Sequence, residues 1–203
     1  MSKRWVSEKK KEHYYKKAKK KGYRARSAYK LLQINEKHHV ISQGDTVIDL
    51  GCAPGGWSQV ALEIVGEKGT VIAVDIARTE PIDGITFIRG DAAKEETKKK
   101  ILEAAEDVDV VISDMSPNIT GHYSMDHARS VDLAEIALEL ASGTLRRGGN
   151  FVVKVFQGDM FKAYFDDVKS KFRFVKGHSP AASRKSSSEI YIVAKGYLGP
   201  KNQ

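Results

Sequence analysis

The sequence predicts an α/β fold, a doubly wound, mostly parallel seven-stranded sheet with an antiparallel edge strand. Three observations predict it. From residue 27 onward, short apolar runs alternate with amphipathic stretches, the rhythm of repeated β-α-β units. The runs, such as "TVIAVDI" and "VDVVISD", are apolar almost throughout, as strands covered on both faces are. The last two, "FRFVKGH" and "EIYIVAKGY", have no helical stretch between them, which calls for an antiparallel pair at one edge.

Taken in order, "SAYKLLQI" (27–34) reads as a short helix with Ser27 as its N-cap. "TVIDL" (46–50) is the first strand, and after a Gly/Pro turn "WSQVALEIV" (57–65) is a helix. "TVIAVDI" (70–76) and "ITFIRGD" (85–91) are the second and third strands. A charged helix near 94–104 leads to the fourth strand, "VDVVISD" (108–114). Val131, Leu133, Ala134, Ile136, Ala137 and Leu140 have helical spacing, so a helix runs from Asp126 to Thr144 and stops before Gly148-Gly149. A strand over 150–156, a helix near 159–169 and strands over 172–178 and 189–197 complete the set. No repeat and no Pro/Gly/Ser-rich linker divides the chain. The expected organisation is a basic N-terminal extension (1–22) followed by one domain (23–203).

With 203 residues, 41% of them hydrophobic, the chain can bury one sizeable core. Its single cysteine, Cys52, excludes an internal disulfide framework and points to a reducing compartment. No apolar run approaches the roughly 20 residues of a membrane span. The basic N-terminus lacks the apolar centre of a secretory signal. The expectation is a cytoplasmic monomer with no membrane partner. Residues 1–30 hold thirteen Lys and Arg against Glu8 and Glu12, a local charge of +11, so the overall +8 resides at the N-terminus. A lysine run alone is as easily a solvated tail. Here it is interleaved with Trp5, Tyr14, Tyr15 and Tyr23, which can stack on bases or pack on the domain, and nucleic acid is the favoured partner.

Ligands of doubly wound sheets bind beyond the carboxyl ends of the strands. Strand one ends in "DLGCAPGGWS", where Gly51, Pro54, Gly55 and Trp57 form the turn into a helix. Strand two ends at Asp75, placed to accept from both ribose hydroxyls, strand three at Asp91 and strand four at Asp114. The turn is G-x-x-P-G-G. It is not the G-x-G-x-x-G that presents a helix N-terminus to a pyrophosphate. A proline there and a bulky Trp57 suit a ligand without a pyrophosphate, and Asp91 suits an adenine amino group. Together these favour S-adenosylmethionine over a nicotinamide dinucleotide.

"FVVKVFQG" (151–158) sets Lys154 in the middle of a buried strand. A buried ammonium must be paired, hydrated or working, because taking its charge out of water costs several kcal/mol. Snorkelling from a strand end is the bland alternative. Asp114 can equally cap its loop, Lys30 can be a helix-surface lysine and Glu189 a solvent-facing strand residue. Cys52 reads as packing, with no histidine near it in sequence. The six histidines have no metal-ligand spacing, and no metal is expected.

"RARSAYKLLQI", "DLGCAPGGWSQV", "SDMSPN", "VVKVFQG" and "SSEIYIVAKGY", in this order and spacing, resemble the FtsJ/RrmJ family of ribose 2′-O-methyltransferases, from about Tyr23 to Tyr197. The resemblance implies a Rossmann-like class I fold, S-adenosylmethionine as cofactor and a Lys-Asp-Lys-Glu tetrad. The tetrad falls on Lys30, Asp114, Lys154 and Glu189. It further implies an RNA substrate, a uridine ribose of 23S rRNA in the large ribosomal subunit, and no DNA. Cys52 stands where alanine is frequent in the family. Within the tetrad, Lys154 is expected to engage the 2′-OH, by deprotonation or by orienting it, and Asp114 to orient Lys154. Lys30 is expected near the RNA, with Glu189 completing the network. Two alternatives remain open, a tRNA ribose methyltransferase and an RNA-binding assembly factor with little turnover. Amino-methylation of adenine lacks its aromatic, since "DMSPN" has none after the fourth strand.

Overall fold

The computed structural model describes residues 14–105, 107–183 and 187–200. The lysines before residue 14 and Trp5 lie outside the described residues. Residues 14–21 are helical. The elements that follow are α1 (Ala28–His38), β1 (Thr46–Leu50), α2 (Gly56–Val65), a 3₁₀ turn (Gly66–Lys68), β2 (Thr70–Asp75) and β3 (Ile85–Arg89). Next come α3 (Glu95–Ala104), β4 (Val108–Ser113), α4 (Tyr123–Thr144) and β5 (Leu145–Phe156). The last are α5 (Phe161–Lys171), β6 (Phe172–His178) and β7 (Glu189–Tyr197).

The strands form one seven-stranded sheet in the order β3-β2-β1-β4-β5-β7-β6. All pairings from β3 to β5 are parallel, and β7 is antiparallel to both β5 and β6. The expected antiparallel pair therefore lies at one edge, and its reversed member is the inner strand, β7. That insertion sets Lys154 opposite Tyr191 and Phe156 opposite Glu189. The order reverses between β1 and β4, which places the topological switch point where "DLGCAPGG" and "SDMSPN" emerge.

Alternation along each strand divides the core. Val47, Val71, Val110, Ile112, Val152 and Val193 pack with Leu31, Ile34, Val60 and Val65 on the α1–α2 side. Ile48, Ile72, Val111, Phe151, Val153 and Val155 pack with Val131, Leu138 and Val168 on the other. Lys154 takes its parity from Val152 and so lies on the α1–α2 side, as Tyr191 does.

Three local expectations change. Ser27 does not cap α1 through its side chain. Its carbonyl instead accepts from the Trp57 indole N–H at 2.9 Å. The fourth helix begins at Tyr123, three residues before Asp126, because Asp126 accepts from the Thr120 and Gly121 backbone N–H groups and folds the preceding loop onto the helix. Strand β5 begins at Leu145, ahead of Gly148-Gly149, and its pairing with β4 shifts register there. An Arg146–Asp109 ion pair of 2.5 Å ties that early segment to β4.

Candidate active site

Every strand-end residue singled out by the sequence lies along the carboxyl edge of the sheet. Leaving β1, Gly51 takes φ +72°, and its N–H donates to the Val74 carbonyl at 2.9 Å. A Cβ at this position would lie 2.5 Å from Met115 Cγ and 3.0 Å from Met115 Cα, so glycine is what lets the β1 and β4 exits approach each other. Pro54 follows a cis peptide bond, and Gly55 precedes the first turn of α2. The backbone N–H groups of that turn have no intrahelical partners.

Asp75 ends β2 with both carboxylate oxygens engaged, Oδ2 accepting from Ala53 N–H and Oδ1 from Ala77 N–H, each at 2.8 Å. Each oxygen keeps a lone pair for a further donor, so the carboxylate is aimed and still able to accept from hydroxyl groups. Asp91, exposed beyond β3, accepts from Ala93 N–H at 3.0 Å. Trp57 is 2% exposed, and its ring packs 5.6 Å from that of Tyr191. Its side chain thus supports the site from the core, and its backbone on α2 is the part available at the glycine turn.

Beneath this edge lies Asp49, fully buried on β1. Ser58 Oγ donates to its Oδ2 at 2.6 Å. Burial pushes its carboxyl up to about 7, with the charges of Asp114 and Asp75 adding to the effect and the Ser58 bond opposing it. Burial likewise raises the Cys52 thiol well above its ordinary value, as a packed, unreactive cysteine requires.

The four tetrad residues form two buried ion pairs. Lys154 Nζ lies 3.0 Å from Asp114 Oδ1 and donates to the Asp114 backbone carbonyl at 2.6 Å. Lys30 Nζ lies 2.6 Å from Glu189 Oε1. Both lysines are 7% exposed. Tyr191 joins the pairs: its hydroxyl donates to Asp114 Oδ1 at 2.7 Å and accepts from Lys30 Nζ at 3.1 Å. Burial, then the charges of Asp114 and Glu189, raise that phenol well above its ordinary value, so it stays a donor.

Sequence reasoning missed Tyr191, which reads as a core aromatic in an apolar strand. The period-two signal was present, because Glu189 and Tyr191 share a face of β7. The segment between the N-terminal helical residues and α1 also reaches this region. Arg24 donates to the carbonyls of Pro54, Glu80 and Pro81, clamping the glycine turn to the loop after β2. Among the described residues no cluster of His, Cys, Asp or Glu could hold a metal ion.

The family model described as FtsJ-like methyltransferase matches residues 23–197. A relative from Methanothrix thermoacetophila, named ribosomal RNA large subunit methyltransferase E, is 56% identical over 93% of this chain and 73% of its own. A relative of the same name from Methanocaldococcus jannaschii is 52% identical over 98% of this chain and 84% of its own. Among solved structures, a Plasmodium falciparum protein described as a ribosomal RNA methyltransferase superposes with a TM-score of 0.80 at 29% identity, covering 88% of this chain and 100% of its own. Aeropyrum pernix fibrillarin, solved with natively bound S-adenosyl-L-methionine, shares the fold with a TM-score of 0.60 at 20% identity, covering 85% of this chain and 75% of its own.

Proposed function

Because the chain belongs to the FtsJ-like methyltransferase family, we propose that it methylates a ribose 2′-OH of large-subunit ribosomal RNA, the finer target being a uridine of 23S rRNA. It is an S-adenosylmethionine-dependent methyltransferase. The observation that carries the ribose reading is the buried Lys154–Asp114 pair at the carboxyl end of β4 and β5, tied through Tyr191 to Lys30–Glu189.

The residues at the strand ends suit the cofactor. Gly51, Pro54, Gly55 and the Trp57 backbone would line it, Asp75 would accept from its ribose hydroxyls and Asp91 from its adenine amino group. Asp114 would lie near its amino acid moiety. When bound, S-adenosylmethionine supplies an electrophilic methyl group on a sulfonium. An alcohol is a poor nucleophile until its proton is engaged. Lys154 Nζ is the group for that task, taking the 2′-OH proton or holding the hydroxyl so that a lone pair faces the methyl. Asp114 fixes the amine through one side-chain and one backbone contact. Lys30, paired with Glu189, donates to Tyr191, which holds Asp114 in turn. The basic extension, with its +11 charge over residues 1–30, supports an RNA partner bound through phosphates.

The test is transfer of labelled methyl to unmodified large ribosomal subunits, free large-subunit rRNA and tRNA, with the product scored for resistance to alkaline cleavage, the mark of 2′-O-methylation. Resistant label in rRNA or subunits is expected. Label confined to tRNA keeps the chemistry and overturns the substrate. No label, with the cofactor still bound, favours an RNA-binding assembly factor.

A further inference from the structure

An exposed aromatic stands at the exit of β5. Tyr123, the first residue of α4, is 61% exposed, yet its position is held from two sides. Its hydroxyl donates to the Gln157 carbonyl at 2.5 Å. One side of its ring stacks on His127, with centroids 6.5 Å apart and planes 14° apart.

His127 is itself locked. It is 4% exposed; its Nδ1 lies 3.0 Å from the Phe156 carbonyl, and the Met160 backbone N–H donates to its Nε2 at 3.0 Å. An Nε2 that accepts leaves Nδ1 as the donor, so both bonds together define one neutral tautomer. Gly158 makes room for the ring: a Cβ there would lie 2.6 Å from His127 Cγ and Cδ2. The result is a two-ring stack built on the β5 exit loop, with a buried histidine below and a largely bare tyrosine above. Met125 and Met160, 45% and 44% exposed, add apolar surface from the two segments that carry the stack.

Gln157 lies three residues beyond Lys154, roughly 10 Å along the strand at ~3.3 Å per residue. Its N–H donates to Ser188, the residue before Glu189. The stack therefore borders the same carboxyl end of the sheet as the lysine proposed to engage the ribose, across β5 from it, because α4 packs on the face opposite α1 and α2. We propose that Tyr123 is a stacking platform for an unpaired nucleobase of the RNA substrate, at or next to the nucleotide whose ribose faces Lys154. The proposal rests on the ribose-methylation reading given above. Several features favour a base as the occupant. The ring is bare, its polar atom is satisfied by Gln157, and the surface beside it is apolar. A π-face of this kind takes any base and reads single-stranded RNA by stacking.

The experiment compares Tyr123→Ala, Tyr123→Leu and Tyr123→Phe with wild type. It reads affinity for unmodified large-subunit rRNA, methyl transfer to it, and S-adenosylmethionine affinity as a control for folding. Tyr123→Ala is expected to weaken RNA binding about 5- to 100-fold and to raise KM for RNA, with cofactor affinity unchanged. Tyr123→Phe keeps the ring and is expected to lie close to wild type. Tyr123→Leu keeps apolar volume without a π-face and is expected to behave like Tyr123→Ala. Equal RNA affinity in Tyr123→Ala and wild type overturns the platform, as does full rescue by Tyr123→Leu. A loss seen with assembled subunits but not with free rRNA also overturns it and points to a protein contact. RNA affinity is read without turnover, so the platform is tested even if wild type transfers no methyl, an outcome that sinks the ribose reading separately.

Discussion

Tyr191 and Asp49 are the two side chains whose roles follow from burial and bonding together. The Tyr191 hydroxyl touches both ion pairs of the tetrad. Removing it leaves Asp114 and Lys30 each short of a buried partner, at a cost of about 1–3 kcal/mol. Tyr191→Phe is expected to lower single-turnover methyl transfer roughly 10-fold while cofactor affinity, measured by calorimetry, stays the same; an unaltered rate means the two pairs act independently. Asp49 carries a different signature. Its folded value of about 7 exceeds the ordinary 3.8, so the native state retains a proton that the unfolded state releases between those values. The stability this group contributes is full below about pH 4 and is lost as pH rises through 7. Asp49→Asn removes the penalty. Relative to wild type, the variant should gain nothing near pH 4 and about 4 kcal/mol by pH 8, at ~1.4 kcal/mol per unit. Denaturant melts at both pH values check this, and a difference that stays flat across the range contradicts it. At this scale the tetrad was legible because its residues stand in motifs and a buried lysine is an anomaly. Tyr191 was not, because a tyrosine among Ile, Val and Ala reads as packing. Trp57 was half legible: it stands in the turn into α2 as expected, while its indole N–H donates to the Ser27 carbonyl before α1.

The elements position these side chains through close approaches that few residues allow. The β1 exit passes Met115 with no space for a Cβ at Gly51 and with a backbone in the left-handed region. Gly51→Ala is therefore expected to weaken S-adenosylmethionine binding at least 10-fold and to lower Tm. Adding Met115→Ala should restore only part, since Met115 Cα still lies 3.0 Å from the new methyl and the positive φ remains. Full restoration by the second substitution would show that the backbone geometry carries no cost. The doubly wound, mostly parallel sheet was legible from the alternating β-α units, although they state no strand order. The inner position of β7 was not, because an antiparallel pair reads the same whichever member faces the sheet. Yet that choice sets Tyr191 beside Lys154 and Glu189 beside Phe156. The early start of β5 was masked by Gly148-Gly149, which the sequence reading took as the break after the helix. A paired arginine, Arg146, holds that segment to β4 instead.

At the scale of the whole molecule, the described part of the basic N-terminal segment packs against α1, the helix that carries Lys30, and Lys17 Nζ lies 4.9 Å from the Tyr29 ring centroid. The helical residues 14–21 sit on α1, with the Tyr14 and Tyr29 rings 5.4 Å apart and Gln33 donating to the Tyr14 hydroxyl at 3.0 Å. Arg24 then carries the chain to the glycine turn. Of the aromatics interleaved with the lysines, Tyr14 packs on the domain, whereas Tyr15 is 61% exposed. The first thirteen residues hold five Lys and Arg. As a polyanion-binding arm, they should contribute to salt dependence through counterion release, up to about 0.9 in slope per phosphate engaged. Deleting residues 1–13 is expected to flatten the slope of log K for rRNA against log salt by roughly 1 to 4, with cofactor affinity unchanged. Equal slopes for the full-length and shortened chains contradict the arm.

The central claim is that Lys154 engages the ribose hydroxyl, and single-turnover methyl transfer by Lys154→Ala tests it most directly. Cofactor and rRNA affinities are to be measured on the same preparation. The account predicts a fall of 10²- to 10⁴-fold in rate, the range of a lost acid–base group, with both affinities within a few-fold of wild type. A rate within 10-fold of wild type, with binding intact, would contradict it.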